Sequence, residues 1–279
     1  MRILLPESFA EACALLAEVP ERIALAGGTD LLVAWPQQFE RRDATFIDLS
    51  KLAELKPIAW TQDTLVLGAA TTYWDVQSDA RVGEAFPLLA RAARSVGALQ
   101  IQTRGTWAGN IVNASPAADG AAVLLAHEAV LELVSSQARE MVPLADFYRR
   151  GKGSRRRPDQ LVRSIHVPRR DHSVAAFDKV GARAAFTISN LSLTIVRSAA
   201  GWRFVAGGMA PQVARCPNLE RLITSEAPIA SPDELLPALR ADLAPVDDIR
   251  ASAAYRERVM ARIAFTRLAE TCPWIAGRL

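Results

Sequence analysis

Residues 103–119 read TRGTWAGNIVNASPAAD, and a shorter segment, AGGTD, occupies residues 26–30. Both concentrate Gly, Ala, Ser, Thr and Asn, and each is expected to follow a strand. Side chains this small let main-chain amides come close to something bulky and anionic. Two such loops in one chain point to one shared ligand. The longer segment also carries Asn110, Asn113, Ser115 and Asp119, polar side chains beside bare backbone, a combination that suits a diphosphate-bearing nucleotide.

With 279 residues, 50% of them hydrophobic, the chain can bury a large core and is expected to divide into two or three compact parts. Its 33 basic and 30 acidic residues leave a charge of +3, too small a surplus to argue for nucleic acid. No stretch approaches the roughly 20 apolar residues that cross a bilayer. The opening, MRILLPESFAEACALL, is broken by Pro6, Glu7 and Glu11, so a cytoplasmic protein is expected. Cys13, Cys216 and Cys272 are isolated and odd in number. They form neither a disulfide framework nor a metal knuckle and read as small apolar fillers. His127, His166 and His172 lack ligand spacing and read as core or surface histidines. These features exclude a chain that carries its own zinc or iron–sulfur cluster.

The architecture expected from periodicity is α+β in three parts, 1–57, 58–170 and 171–279. In the first, a helix through FAEACALLAEV turns Phe9, Cys13 and Leu16, with Ala12 and Val19, inward. A buried strand over residues 22–26 runs into AGGTD, LLVAW signals a second helix, and ATFIDLSKL is another strand. In the second part TLVLGAATTYWDV reads as a strand, and PLLARAARSV as a helix with Leu88, Leu89, Ala92 and Val96 on one face, ended by Gly97. A strand is expected in the second half of AAVLLAHEAVLELV, and another in LVRSIHVP. In the third, LSLTIV and WRFVAGG around SAAG predict an antiparallel hairpin, preceded by a helix or strand at residues 184–188. From Ser231 the pattern is helical, with Val259, Ile263 and Leu268 along one side. Six cations within nine residues, Arg149, Arg150, Lys152, Arg155, Arg156 and Arg157, read as a solvated loop, with contact to a partner subunit as the alternative.

AGGTDLL followed by RGTWAGNIVNASPAAD resembles the FAD-binding medium subunit of the molybdenum hydroxylases, the group containing xanthine dehydrogenase and carbon monoxide dehydrogenase. The likeness continues through VGALQIQTRGT, RSIHVP, FDKVGARAAFTIS, VAGGMAP and DIRASAAYR. It implies a vanillyl-alcohol-oxidase/PCMH-type FAD-binding fold, two small N-terminal α/β units followed by a C-terminal antiparallel sheet with helices. It places Ala26, Gly27, Gly28, Thr29 and Asp30 around the FAD diphosphate, and Thr106, Ala108, Gly109 and Asn110 on its other side. Ser115 and Asp119 fall near the adenosine, and Lys179 and Val162 near the flavin ring. A lysine there would favour negative charge on reduced flavin.

The same resemblance implies an oxidoreductase subunit without a catalytic side chain of its own. It would pass electrons from the [2Fe-2S] clusters of a small iron–sulfur subunit, through FAD, to an acceptor such as NAD+ or a quinone. A large molybdopterin-binding subunit would choose the substrate, in a dimer of heterotrimers. The chain departs from the pattern where many relatives show TIGGN, having Trp107 and Ala108 in that loop. Trp107 is expected to pack beneath the loop or cover part of the cofactor, and Ala108 is costly only if its φ is positive. These two residues are the best support for the alternative, a scaffold that kept the fold and lost FAD. AGGTD replaces AGGHS of some relatives, and the scattered cysteines disfavour the branch with an extra cluster in this subunit. A kinase or transferase is disfavoured because GxxxxGK[ST] and a strand-bound GxGxxG are both missing.

Overall fold

The structure, a computed structural model, describes residues 2–18, 22–33, 44–149 and 156–275. Its contacts cluster into two units, one of Met1–Asn113 and Glu128–Arg169, the other of Ala114–His127 and Arg170–Leu279.

In the first unit, β1 (Arg2–Leu4), β2 (Ile23–Leu25) and β3 (Thr45–Asp48) form a parallel sheet in the order β1-β3-β2. Helix α1 (Phe9–Glu18) buries Phe9, Ala12, Cys13 and Leu16, the face its spacing requires. Val19 lies outside the described residues. β2 is half-buried rather than buried. The helix signalled by LLVAW does not form in its described part. Residues 29–33 are turns, with Leu32 N–H bonded to the Gly28 carbonyl at 2.9 Å and Val33 N–H to that of Asp30 at 3.1 Å. Leu32 and Val33 are exposed, so no packed apolar face stabilises a helix there.

β4 (Ile58–Trp60) and β5 (Thr64–Gly68) form a hairpin. The strand expected through TLVLGAATTYWDV stops at Gly68, and α2 (Tyr73–Ser78) takes over. Thr72 and Asp75 make a reciprocal capping box, which outweighs the strand preference of Thr, Tyr and Trp. Helices α3 (Ala80–Ala85) and α4 (Pro87–Ser95) follow. Gly97, at φ +50°, ends the latter. Val96 is its half-buried cap rather than a member of the inward face.

Next comes α5 (Leu99–Gln102), so the second small-residue segment follows a helix and not a strand. The buried Gln102 carboxamide donates to the carbonyls of Arg94 and Val96 at 3.1 Å each, satisfying the end of α4. The segment itself forms α6 (Trp107–Asn113). The chain passes to the second unit for α7 (Asp119–Ala126) and returns for β6 (Val130–Val134), β7 (Arg139–Pro143), α8 (Leu144–Arg149) and β8 (Leu161–Pro168). These strands complete an antiparallel sheet in the order β4-β5-β8-β6-β7.

In the second unit, β9 (Val174–Val180), β10 (Leu191–Ser198), β11 (Gly201–Gly207) and β12 (Ala214–Arg215) form an antiparallel sheet, with the expected β10–β11 hairpin at its centre. One face carries Leu191, Leu193, Ile195, Trp202 and Phe204. They pack against α9 (Pro217–Thr224), α10 (Leu236–Asp242) and α11 (Ala253–Ala269) through Leu219, Leu239, Met260 and Phe265. Leu268 is buried in this core, with Val259 and Ile263 packed at its edge. α7 packs on β10 and β11.

Residues 184–188 are neither helix nor strand. The Arg183 guanidinium bonds the carbonyls of Ala185 and Phe186, and Phe186 takes φ +53°, so the chain turns back on itself. Among the described residues no helix is long and apolar enough to cross a membrane. None of them groups three potential metal ligands, and the three cysteines are buried and free.

Candidate functional site

In the first unit β2 delivers the chain to AGGTD, where the backbone bends sharply. Gly28 has φ +73°, a conformation that only glycine adopts without strain. Gly27 is required for a different reason, since a methyl on it would lie 1.9 Å from the Arg104 carbonyl oxygen. The two small-residue segments therefore meet main chain to main chain. A methyl on Gly105 would lie 3.4 Å from the Thr29 hydroxyl, and Asn113 Nδ2 donates to Asp30 Oδ1 at 2.9 Å.

Among the described residues, the amides of Gly27, Gly28, Thr29 and Asp30 donate to no protein acceptor. Successive free N–H groups around a left-handed glycine make an anion-binding concavity. Across from them Thr106 caps α6, its Oγ1 accepting from Gly109 N–H at 3.1 Å and its carbonyl from Asn110 N–H at 3.0 Å. Trp107 N–H is taken by the Thr71 carbonyl at 3.2 Å. The Ala108 amide bonds no acceptor among the described residues.

Ala108 is helical and is not among the residues with positive φ, so it needs no glycine. Trp107 is fully buried against Tyr73, ring centroids 5.1 Å apart. With no surface exposed, the ring packs beneath the loop. Val162 is buried in β8 opposite Leu133, beside an irregularity in the pairing with β6.

In the second unit Asp119 opens α7 and is 4% exposed. Its carboxylate accepts from Lys179 Nζ at 2.7 Å and from the Ser189 hydroxyl at 2.7 Å. The resemblance assigns these two residues to different parts of the cofactor, and the structure brings them together as one ion pair. Groups 2.7 Å apart share one environment. Asp119 also offsets the Lys179 charge, leaving the ammonium as a held hydrogen-bond donor rather than a bare cation. The Ser115 hydroxyl accepts from Ala117 N–H at 3.2 Å, closing the local turn over Pro116.

Asn113 and Ser189 are the residues whose positions carry information that the motifs do not show. Asn113 belongs to the small-residue segment, yet its partner is 83 positions away. Ser189 has no sequence signal linking it to Asp119.

His127 is buried and meets His172 edge to face at 4.9 Å. Burial, with His172 adding to it, lowers its pKa from 6.5 to about 3, so it is a neutral core histidine. In the basic run, Arg157 pairs with Glu140 at 2.7 Å and with Asp159 at 3.2 Å, and Arg156 bonds local carbonyls. Arg150, Lys152, Arg155 and the side chain of Arg149 lie outside the described residues.

Residues 1–170 match the family model described as the FAD binding domain in molybdopterin dehydrogenase, and residues 167–271 match the CO dehydrogenase flavoprotein C-terminal domain. The chain is 29% identical over 282 residues to the xanthine dehydrogenase FAD-binding subunit of Escherichia coli O157:H7, covering 98% of this chain and 96% of that one. It is 33% identical over 192 residues to the nicotinate dehydrogenase FAD-subunit of Eubacterium barkeri, covering 66% and 64%. Among solved structures it superposes on a chain of carbon monoxide dehydrogenase from Hydrogenophaga pseudoflava with a TM-score of 0.84 and 26% identity, over 98% of this chain and 97% of that one.

Proposed function

The chain belongs to the FAD-binding subunits of the molybdopterin dehydrogenases, and from that premise we propose that it is the electron-transfer station of a heteromeric oxidoreductase. When bound, FAD supplies electron transfer between [2Fe-2S] clusters of a small partner subunit and an acceptor such as NAD+ or a quinone.

The residues of this chain bind and orient that group. Gly27, Gly28, Thr29 and Asp30 offer converging amides to the diphosphate, whose two negative charges they satisfy without long side chains. Ala108 adds an amide from the second segment, while Thr106 and Gly109 close the cap that aims it. Asn110, Ser115 and Val162 keep the roles that the resemblance gives them. Asp119 and Lys179 act together at one part of the cofactor. The observation that carries this reading is the row of unclaimed amides at residues 27–30, packed against the second segment.

The partners we propose are a large molybdopterin-binding subunit and the small iron–sulfur subunit, assembled as a dimer of heterotrimers. The E. coli relative is itself named as a subunit, which supports this. A division at 57 and 170 accords with the sheets, since each of the three parts contains one complete sheet. The relatives are named for different substrates, xanthine and nicotinate, as expected if the substrate is chosen on another subunit.

The purified complex tests the proposal. It should show a flavin absorbance spectrum and release FAD on denaturation. A colourless, fully assembled complex would overturn it. The cofactor-free alternative loses its support, because Trp107 is buried beneath the loop and Ala108 is helical.

A further inference from the structure

We propose that Asp30 and Asn113 are a positioning pair that holds the two cofactor-binding segments in register, with neither side chain touching the cofactor. This deepens the function proposed above and rests on it. Asp30 ends the AGGTD turn and Asn113 ends α6. Their bond, Asn113 Nδ2 to Asp30 Oδ1 at 2.9 Å, joins residues 83 positions apart. Among the described residues it is the one side-chain hydrogen bond between the segments.

Close main-chain approach also joins the segments. Gly27 against the Arg104 carbonyl and Gly105 against Thr29 set how closely the segments approach, but neither has a direction. The Asp30–Asn113 bond does, and it acts at the ends of both segments. Through Asp30 it fixes the last amide of the unclaimed row. Through Asn113 it sets the tilt of α6, whose other end presents the Ala108 amide.

The chemistry excludes the simpler role of Asp30 as a direct ligand of the diphosphate. A carboxylate beside a doubly charged anion repels it. Here the carboxylate is drawn onto a neutral amide donor, which removes it from the row of N–H groups without adding a competing cation. Both residues are exposed, so the bond contributes little to the core, and its effect falls on the geometry of the loops.

The experiment uses the FAD-loaded complex with Asp30→Ala, Asn113→Ala, the double variant and Asp30→Asn. FAD release is followed by the rise in flavin fluorescence, and the melting temperature of the FAD-stripped complex is measured in parallel. Each single alanine variant should release FAD about tenfold faster. The double variant should be no faster than either single one, because both remove the same bond. Asp30→Asn keeps an acceptor oxygen and should bring release back to within about twofold of the parent. The melting temperatures of the stripped complexes should agree.

Additive effects in the double variant, Asp30→Asn releasing FAD as fast as Asp30→Ala, release at the parent rate in the single variants, or a loss of FAD matched by an equal loss of fold stability would each overturn the pairing. A parent complex that contains no FAD would overturn the proposed function and this inference with it. The parent spectrum, read first, separates the two failures.

Discussion

Replacing Gly27 with alanine puts a methyl carbon 1.9 Å from the Arg104 carbonyl oxygen and 2.7 Å from its carbon. Both obstacles are main chain, so no side-chain rotation relieves the clash. Ordinary contact begins near 3.4 Å, and the segments must part by about 1.5 Å to reach it, a distance at which overpacking costs about 3 kcal/mol. A shift of that size also breaks the 2.9 Å Asp30–Asn113 bond, which costs little fold stability because both residues are exposed. Two of the converging amides then lose their aim. At about 1.5 kcal/mol for each hydrogen bond to a charged group, FAD affinity falls by two orders of magnitude or more.

Two other glycines calibrate the effect. Gly28→Ala meets no backbone but must hold φ +73°, a strain of about 1–2 kcal/mol. Gly83→Ala, in α3, meets nothing within 4 Å and should stabilise by about 0.5–1 kcal/mol through helix propensity. Flavin-to-protein ratio by absorbance, with thermal unfolding of the FAD-stripped protein, should rank the variants as Gly83→Ala mildest, Gly28→Ala intermediate and Gly27→Ala worst. A Gly27→Ala protein with a full flavin complement and a melting midpoint within about 1 °C of the parent would refute the close approach of the two segments.

Lys179→Met leaves the buried Asp119 carboxylate with Ser189 alone and should cost about 3–5 kcal/mol in chemical denaturation; adding Asp119→Asn should recover part of that loss, and full additivity would argue against the pair. Trp107→Leu removes a fully buried ring and should cost about 3 kcal/mol while the folded fraction keeps its FAD. Loss of flavin at unchanged stability would instead make Trp107 a cofactor contact. His127 holds its proton less tightly in the folded protein, at about 3, than at its ordinary 6.5, so the unfolded chain binds more protons in that window. Stability should be full above pH 6.5 and decline toward pH 3 by up to about 1.4 kcal/mol per pH unit. His127→Leu should flatten the slope in urea titrations at pH 7, 6 and 5, and an unchanged slope would place the titration elsewhere.

Local pattern was a good guide where one apolar face decides the structure. The spacing of Phe9, Cys13 and Leu16 marked α1, and LSLTIV and WRFVAGG around SAAG marked the central hairpin. It failed where a hydrogen bond overrode propensity. TTYWDV has strand-forming residues, but Thr72 and Asp75 cap each other and start a helix. A strand is expected ahead of the second segment, but α5 stands there, its Gln102 carboxamide bonding the end of α4. LLVAW has an apolar run, but its described residues find no core to pack on.

The sequence alone determined that two glycine-bearing segments were built to bare their backbone, and that the chain lacks clustered cysteines or histidines for a metal. Those properties depend on residue type and short spacing, which a linear reading contains. Tertiary structure decided which glycine is needed for φ and which for a neighbour, because Gly27 meets Arg104 only after the two segments come together. It decided that Trp107 lies under the loop, and that Asp119 and Lys179 are one paired unit held by Ser189. Partners 60 and 70 residues apart meet only when the chain has folded, and no local spacing records the meeting.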